Sequence, residues 1–69
     1  MDKADIDNRF SFHPATDVTG PKHDSIRGEC MALAYTLDAL IPDSREKSLA
    51  ITHLEEVMMW SNAAIARNQ

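Results

Sequence analysis

One cysteine, Cys30, stands alone among 69 residues, so no disulfide can close within the chain. That suits a reducing compartment, and it removes the usual staple of a domain too small to bury much apolar surface. Association with other copies is then the expected source of stability. Long apolar runs are lacking too. The charge-free stretch from Val57 to Ala66 is about half of the ~20 residues a membrane-spanning helix needs. The polar, acidic opening MDKADIDNR has none of the character of a signal peptide. The chain therefore reads as soluble and cytoplasmic, with no membrane partner. Basic residues are outnumbered, seven against eleven acidic, for a net charge of −4. Duplex nucleic acid calls for a broad positive field and is a poor fit. An anionic ligand requires the few basic residues to converge on a local site.

Neither glycine nor proline interrupts Ser44 to Arg67, and this stretch is expected to be one helix. Asp43 or Ser44 serves as N-cap, with Glu46 three residues after Asp43 in position to reach back. Ala50, Leu54, Val57, Ser61 and Ala64 recur at steps of four and three, and Met58 and Ile65 widen that stripe. A weaker stripe of Leu49, Trp60 and Ala63 runs along the opposite side. One partner helix cannot cover both.

Earlier in the chain, Met1 to Asn8 carries four charges and reads as a flexible tail. Arg9 to His13 reads as a short extended arm, because Pro14 disfavours a helical His13 and Phe10 and Phe12 alternate with polar residues. Either phenylalanine can complete a small core, or its ring can be a stacking platform for a flat ligand. Ala15 to Gly20 is a loop, and Gly20-Pro21 looks like a cap followed by proline at the first helical position. A helix follows, with Ile26, Cys30, Leu33, Leu37 and Leu40 as its seam. Pro42 stops it. The link to the next helix is so short that the two must be antiparallel neighbours. The expected fold is all-α: an antiparallel two-helix hairpin over residues 9–69 with an extended N-terminal arm, assembled into a homo-oligomer.

Antiparallel packing puts Lys22, His23 and Arg27, at the start of the first helix, beside Arg67 at the end of the second. The arm with Arg9, Phe10, Phe12 and His13 enters at that same end. Unpaired N–H groups at a helix start favour phosphate, and aromatic rings beside cations suit a nucleotide. Arg27 can equally pair with Asp24 or Glu29, and Arg67 can simply complement its helix dipole. Catalytic and metal chemistry have less support. His13, His23 and His53 lack ligand spacing, Cys30 lies on the apolar seam, and His53 with Glu56 reads as a solvated pair. Ser44 has no base in a fixed relation to it, so no enzyme, cofactor or metal is expected.

Phe12-His13-Pro14, Ile26-Arg27, the run SREKS from Ser44, LEE from Leu54, Met59-Trp60 and NAAIARN from Asn62 together resemble the phage anti-CBASS cyclic-oligonucleotide sponges. Their relatives, the anti-Thoeris sponges for cyclic ADP-ribose isomers, share the helical hairpin. The resemblance spans about Arg9 to Asn68. It implies a hexameric protein of the host bacterial cytoplasm that captures cyclic dinucleotides such as cyclic GMP-AMP, without cleaving them. Some members also hold cyclic trinucleotides where three subunits meet. By this resemblance Phe12 stacks on a base and Lys22 binds phosphate, with His13, Pro14, His23, Ile26 and Arg27 completing the dinucleotide site. Gly20 and Arg67 belong to the trinucleotide site. The second apolar stripe, Leu49, Trp60 and Ala63, is the expected oligomer interface because it faces away from the intramolecular seam. The family's aromatic is often tyrosine, and Phe12 keeps the stacking face without the hydroxyl. The N-terminal β-domain of some anti-Thoeris relatives has no counterpart here, which favours cyclic oligonucleotides. Arg45 and Lys47, at the far end of the hairpin, read as a subunit contact, with part of a ligand pocket completed by a neighbour's opposite end as the alternative. A competing reading is a small helical adaptor that binds a host protein through the Trp60 face.

Overall fold

The computed structural model describes residues 2–69, and its described residues form three helices and no strands. α1 spans Lys3–Phe10, α2 Thr19–Leu40 and α3 Arg45–Asn68. Met1, the first residue of the expected tail, lies outside the described residues.

α1 occupies the stretch read from sequence as a tail and the beginning of the arm. Asp5 in its first turn and Arg9 in its last complement the helix dipole. Its end is tied down locally. The Ser11 N–H and hydroxyl both donate to the Asp7 carbonyl, and the His13 ring Nε2 donates to the Asn8 carbonyl at 2.7 Å. Those contacts satisfy carbonyls that a helix C-terminus otherwise leaves open. Only the connector after Phe10, with Ser11 at φ −85° and ψ 152°, keeps the extended character expected of the arm.

α2 and α3 form the hairpin. α2 ends where sequence places its end, because Ile41 precedes Pro42 and adopts φ −105°, ψ 133°. Ser44, not Asp43, caps α3, its hydroxyl accepting from the Lys47 N–H at 3.1 Å. A box with Ser44 as cap would need its acid at position 47, so Glu46 has no part in it.

The seam differs from the expected one by a residue here and there. Leu33, Leu40, Val57 and Ala64 are exposed, whereas Ala34, Ile41, Ile51 and Met58 are half-buried. The reason is the helix period. On α2 the covered positions His23, Ile26, Cys30, Ala34, Leu37 and Ile41 advance at the 3.6 residues per turn of a straight helix. Alternating steps of four and three follow a 3.5-residue period and drift about 20° per heptad from that line.

Lys47 locks the far end. Its ammonium donates to the Asp38 carbonyl at 3.1 Å and pairs with the Asp38 and Asp43 carboxylates at 2.8 and 2.9 Å. A residue read as a subunit contact thus joins the last turn of α2, the link and the first turn of α3 within one chain. The cation also sits where the α2 dipole is negative.

Very little is hidden. Thr19 is the one buried residue among those described, and no hydrophobic side chain is buried. The molecule measures 45 × 30 × 12 Å, a slab one helix thick. Its radius of gyration is 15.1 Å, against about 11 Å for a compact domain of this length. Its accessible surface is 5462 Å², roughly a quarter above the about 4,300 Å² of a compact monomer of this mass.

The Lys47 clamp gives a pH signature. Its hydrogen bonds to Asp38 and Asp43 raise the Lys47 pKa above the usual 10.5, and its hydrogen bond and charge hold the Asp43 carboxyl below the usual 3.8. The Asp43 contribution is complete above about pH 4 and fades as pH falls through the depressed value. The Lys47 contribution is complete below 10.5 and fades as pH rises through the elevated one. Thermal melts of wild type and Lys47→Met across this range should therefore differ most between the two limits and converge beyond them. A constant gap at acidic pH would assign the difference to packing.

Candidate functional site

The end of the hairpin opposite Lys47 gathers the residues singled out as ligand-binding. Its geometry begins with a threonine pair. The Thr16 hydroxyl accepts from the Val18 and Thr19 N–H groups at 3.2 and 3.0 Å, while the Thr19 hydroxyl accepts from the Thr16 N–H at 2.8 Å. The Gly20 N–H closes the first turn on the Thr16 carbonyl at 2.8 Å. This is a reciprocal capping box with threonine in the place usually held by glutamate. The expected cap at Gly20-Pro21 is therefore corrected to the Thr16–Thr19 turn that leads into α2, and Pro21 is the third residue of α2, where its missing N–H is tolerated. A threonine at the third position falls outside the box template, so sequence reasoning missed it.

From that start, α2 presents Lys22 and His23 toward α3. The Lys22 ammonium donates to the Gln69 side-chain carbonyl. The His23 Nδ1 donates to Asn62 Oδ1 at 2.8 Å, tying the first turns of α2 to the last turns of α3. The expectation that Lys22 and His23 share an end with the α3 terminus is thus met through Gln69 and Asn62, two residues to which sequence reasoning gave no such role. A polar Asn62 one step from the apolar seam was the available signal.

The remaining candidates fall into three groups. Arg27 forms an exposed ion pair with Asp24, the bland partner weighed from sequence, in a class worth at most about 1 kcal/mol. Ile26 is half-buried in the seam, and Arg67 is half-buried in the last turn of α3. Phe12 is 88% exposed, Pro14 is exposed, and His13 is half-buried with its Nε2 engaged at Asn8. Apart from its chain neighbours and the backbone of its own helix, nothing lies within 4 Å of a Cβ built on Gly20, so the chain leaves open space beside it.

Of the expected interface residues, Leu49 and Trp60 are exposed, at 45% and 65%, and Ala63 is half-buried. Val57 and Met59 add to the apolar surface of α3. On one flank of the hairpin, Arg27, Cys30, Met31, Ala34, Ile51, Leu54, Glu55 and Met58 line an open groove of about 360 Å³. The walls are apolar apart from Arg27 and Glu55. His53 and Glu56 make the solvated pair expected, with Nδ1 at 2.9 Å from Oε2.

Among the described residues no cluster of His, Cys, Asp or Glu is arranged to hold a metal, and no helix is long and apolar enough to cross a membrane. What the end of the hairpin offers is the Lys22 ammonium and the His23 imidazole on a helix start, each held by a side chain from the end of the opposite helix. Such an arrangement can hold an anion.

No curated protein and no solved structure matches the chain. The family model of the Acb2/Tad1 hairpin domain matches residues 2–66. That span takes in α1, the connector and the Thr16–Thr19 cap as well as nearly all of the hairpin, and so the chain belongs to the Acb2/Tad1 hairpin-domain family, that of the anti-CBASS and anti-Thoeris sponges.

Proposed function

We propose that this chain sequesters cyclic oligonucleotide second messengers in the cytoplasm of a phage-infected bacterium, keeping them intact and away from CBASS effectors. The observation that carries the reading is the hairpin-domain match over nearly the whole chain. Cyclic dinucleotides such as cyclic GMP-AMP are the leading ligands. Lys22 and His23 take the phosphates beside the α2 start, and Phe12, whose ring is free to reach a ligand, stacks on a base. Arg67, at the negative end of its own helix, is a weak anion site singly. Several copies around a symmetry axis, with Gly20 nearby, make a site for a cyclic trinucleotide.

The working form is a homo-oligomer, a hexamer by family resemblance. A slab with no buried hydrophobic side chain gains most of its stability from other copies, and the Leu49–Trp60 face of α3, turned away from α2, is the surface for them. The same exposure is what an adaptor for a host protein would show, so the ligand test decides between them.

Three outcomes are expected. Protein mixed with cyclic GMP-AMP, separated and denatured, should release the nucleotide intact; cleaved product would mean an enzyme, and no retention would favour the adaptor. Phe12→Ala should weaken that binding by about 1–3 kcal/mol with the oligomer unchanged, while Phe12→Tyr should preserve it. Unchanged affinity in calorimetry for the alanine variant would remove Phe12 from the site. Trp60→Ala should shift native mass spectra toward smaller species, since an aromatic lost from an interface core costs about 3–5 kcal/mol. Monomer alone for the wild type at micromolar concentration would refute assembly.

A further inference from the structure

The hydrogen bond from His23 to Asn62 does more than join two helices. The Asn62 carboxamide is turned with Oδ1 toward the ring, and since that oxygen accepts only, in this orientation the imidazole nitrogen 2.8 Å away carries its proton. Neutral His23 is thereby fixed as the Nδ1–H tautomer, the less common form of a free imidazole in water. The other ring nitrogen, Nε2, has no protein partner among the described residues. It is left as an acceptor on the neutral ring and a donor on the charged one. Asn62 is itself half-buried on α3, and a helix side chain held from its neighbour loses rotamer freedom before any ligand arrives.

We infer that Asn62 is a positioning residue of the ligand site: it orients the His23 ring and sets its tautomer so that Nε2 faces the bound cyclic nucleotide. The inference rests on the proposed sponge reading, but its first half concerns the free protein. Comparable arrangements hold metal-ligating histidines, where the partner on the far nitrogen fixes which nitrogen is offered. Here the offered nitrogen accepts from a base edge when the ring is neutral and donates to a phosphate when it is charged. Lys22, the preceding residue, is tethered to Gln69 through an exposed contact. A lysine exchanges such a partner for phosphate readily, whereas His23 keeps its tether while binding, because it uses its second nitrogen.

Two measurements test this. Long-range proton–nitrogen correlation spectra of the ligand-free protein, with His23→Gln used to assign the resonance, should show His23 protonated on Nδ1 at neutral ring charge. Asn62→Asp, which keeps the acceptor oxygen, should preserve that pattern, and Asn62→Leu should lose it. An Nε2–H tautomer in the wild type would overturn the inference. In calorimetry with cyclic GMP-AMP, Asn62→Leu should bind about tenfold more weakly, the size of one well-formed hydrogen bond. Added to a His23→Ala background, Asn62→Leu should cost nothing further, because Asn62 acts through His23. A merely structural Asn62 would give additive losses and would also overturn the inference. Failure of the sponge reading looks different: wild-type protein with the Nδ1–H tautomer and no cyclic GMP-AMP binding, which sinks the inferred ligand role while leaving the hydrogen bond established.

Discussion

Two helices lying side by side can each cover one face of the other, and in this chain that single contact is all the tertiary structure there is to work with. α1 adds little to it. The consequence is visible in every side chain of the seam, where Ile26, Leu37, Leu54 and Met58 are half-covered and none is closed off from water. Hydrophobic stabilisation scales with area removed from water, so half-covered side chains deliver a fraction of what they could. The large apolar groups left outside, among them Phe10, Phe12, Tyr35, Leu40 and Trp60, are more than a small soluble monomer ordinarily shows.

With the seam so thin, the polar ties at its two ends carry weight in deciding register. At one end the Lys47 ammonium gathers Asp38 and Asp43, and at the other His23 meets Asn62. A slide of either helix by one turn, about 5.4 Å, would break both sets together. Directional polar contacts of this kind discriminate between registers better than apolar ones, since a leucine finds a similar partner one turn away and a lysine clamp does not. The register matters for function because it decides which α3 residues stand beside Lys22 and His23.

Sequence alone was enough for the hairpin, since Pro42 and the uninterrupted run after Ser44 are strong local signals and the link between them leaves one topology. It was enough for α3 to within a residue at either end. It also placed the basic end, because antiparallel packing follows from the link. α1 escaped because its charges suggested solvation, while the features that end it, Ser11 on Asp7 and His13 on Asn8, involve backbone carbonyls that no composition reveals. The α2 cap escaped because threonine replaced glutamate in the box. The tie from Lys47 to Asp38 escaped because Asp38 lies nine positions earlier and becomes a neighbour only once the turn is made. Asn62 escaped for the same reason: its partner is thirty-nine residues away.

A body only 12 Å thick has a further implication for how such a protein behaves in a cell. When stability comes mainly from contact with other copies, the stability of the folded state rises with the amount of protein present, and dilution favours unfolding. A binder that acts by stoichiometry, as proposed here, is useful only when it outnumbers its ligand. Abundance then secures two things at once, the intact assembly and enough sites to empty the messenger pool. At low copy number, the same chain would be both ineffective and exposed to proteolysis.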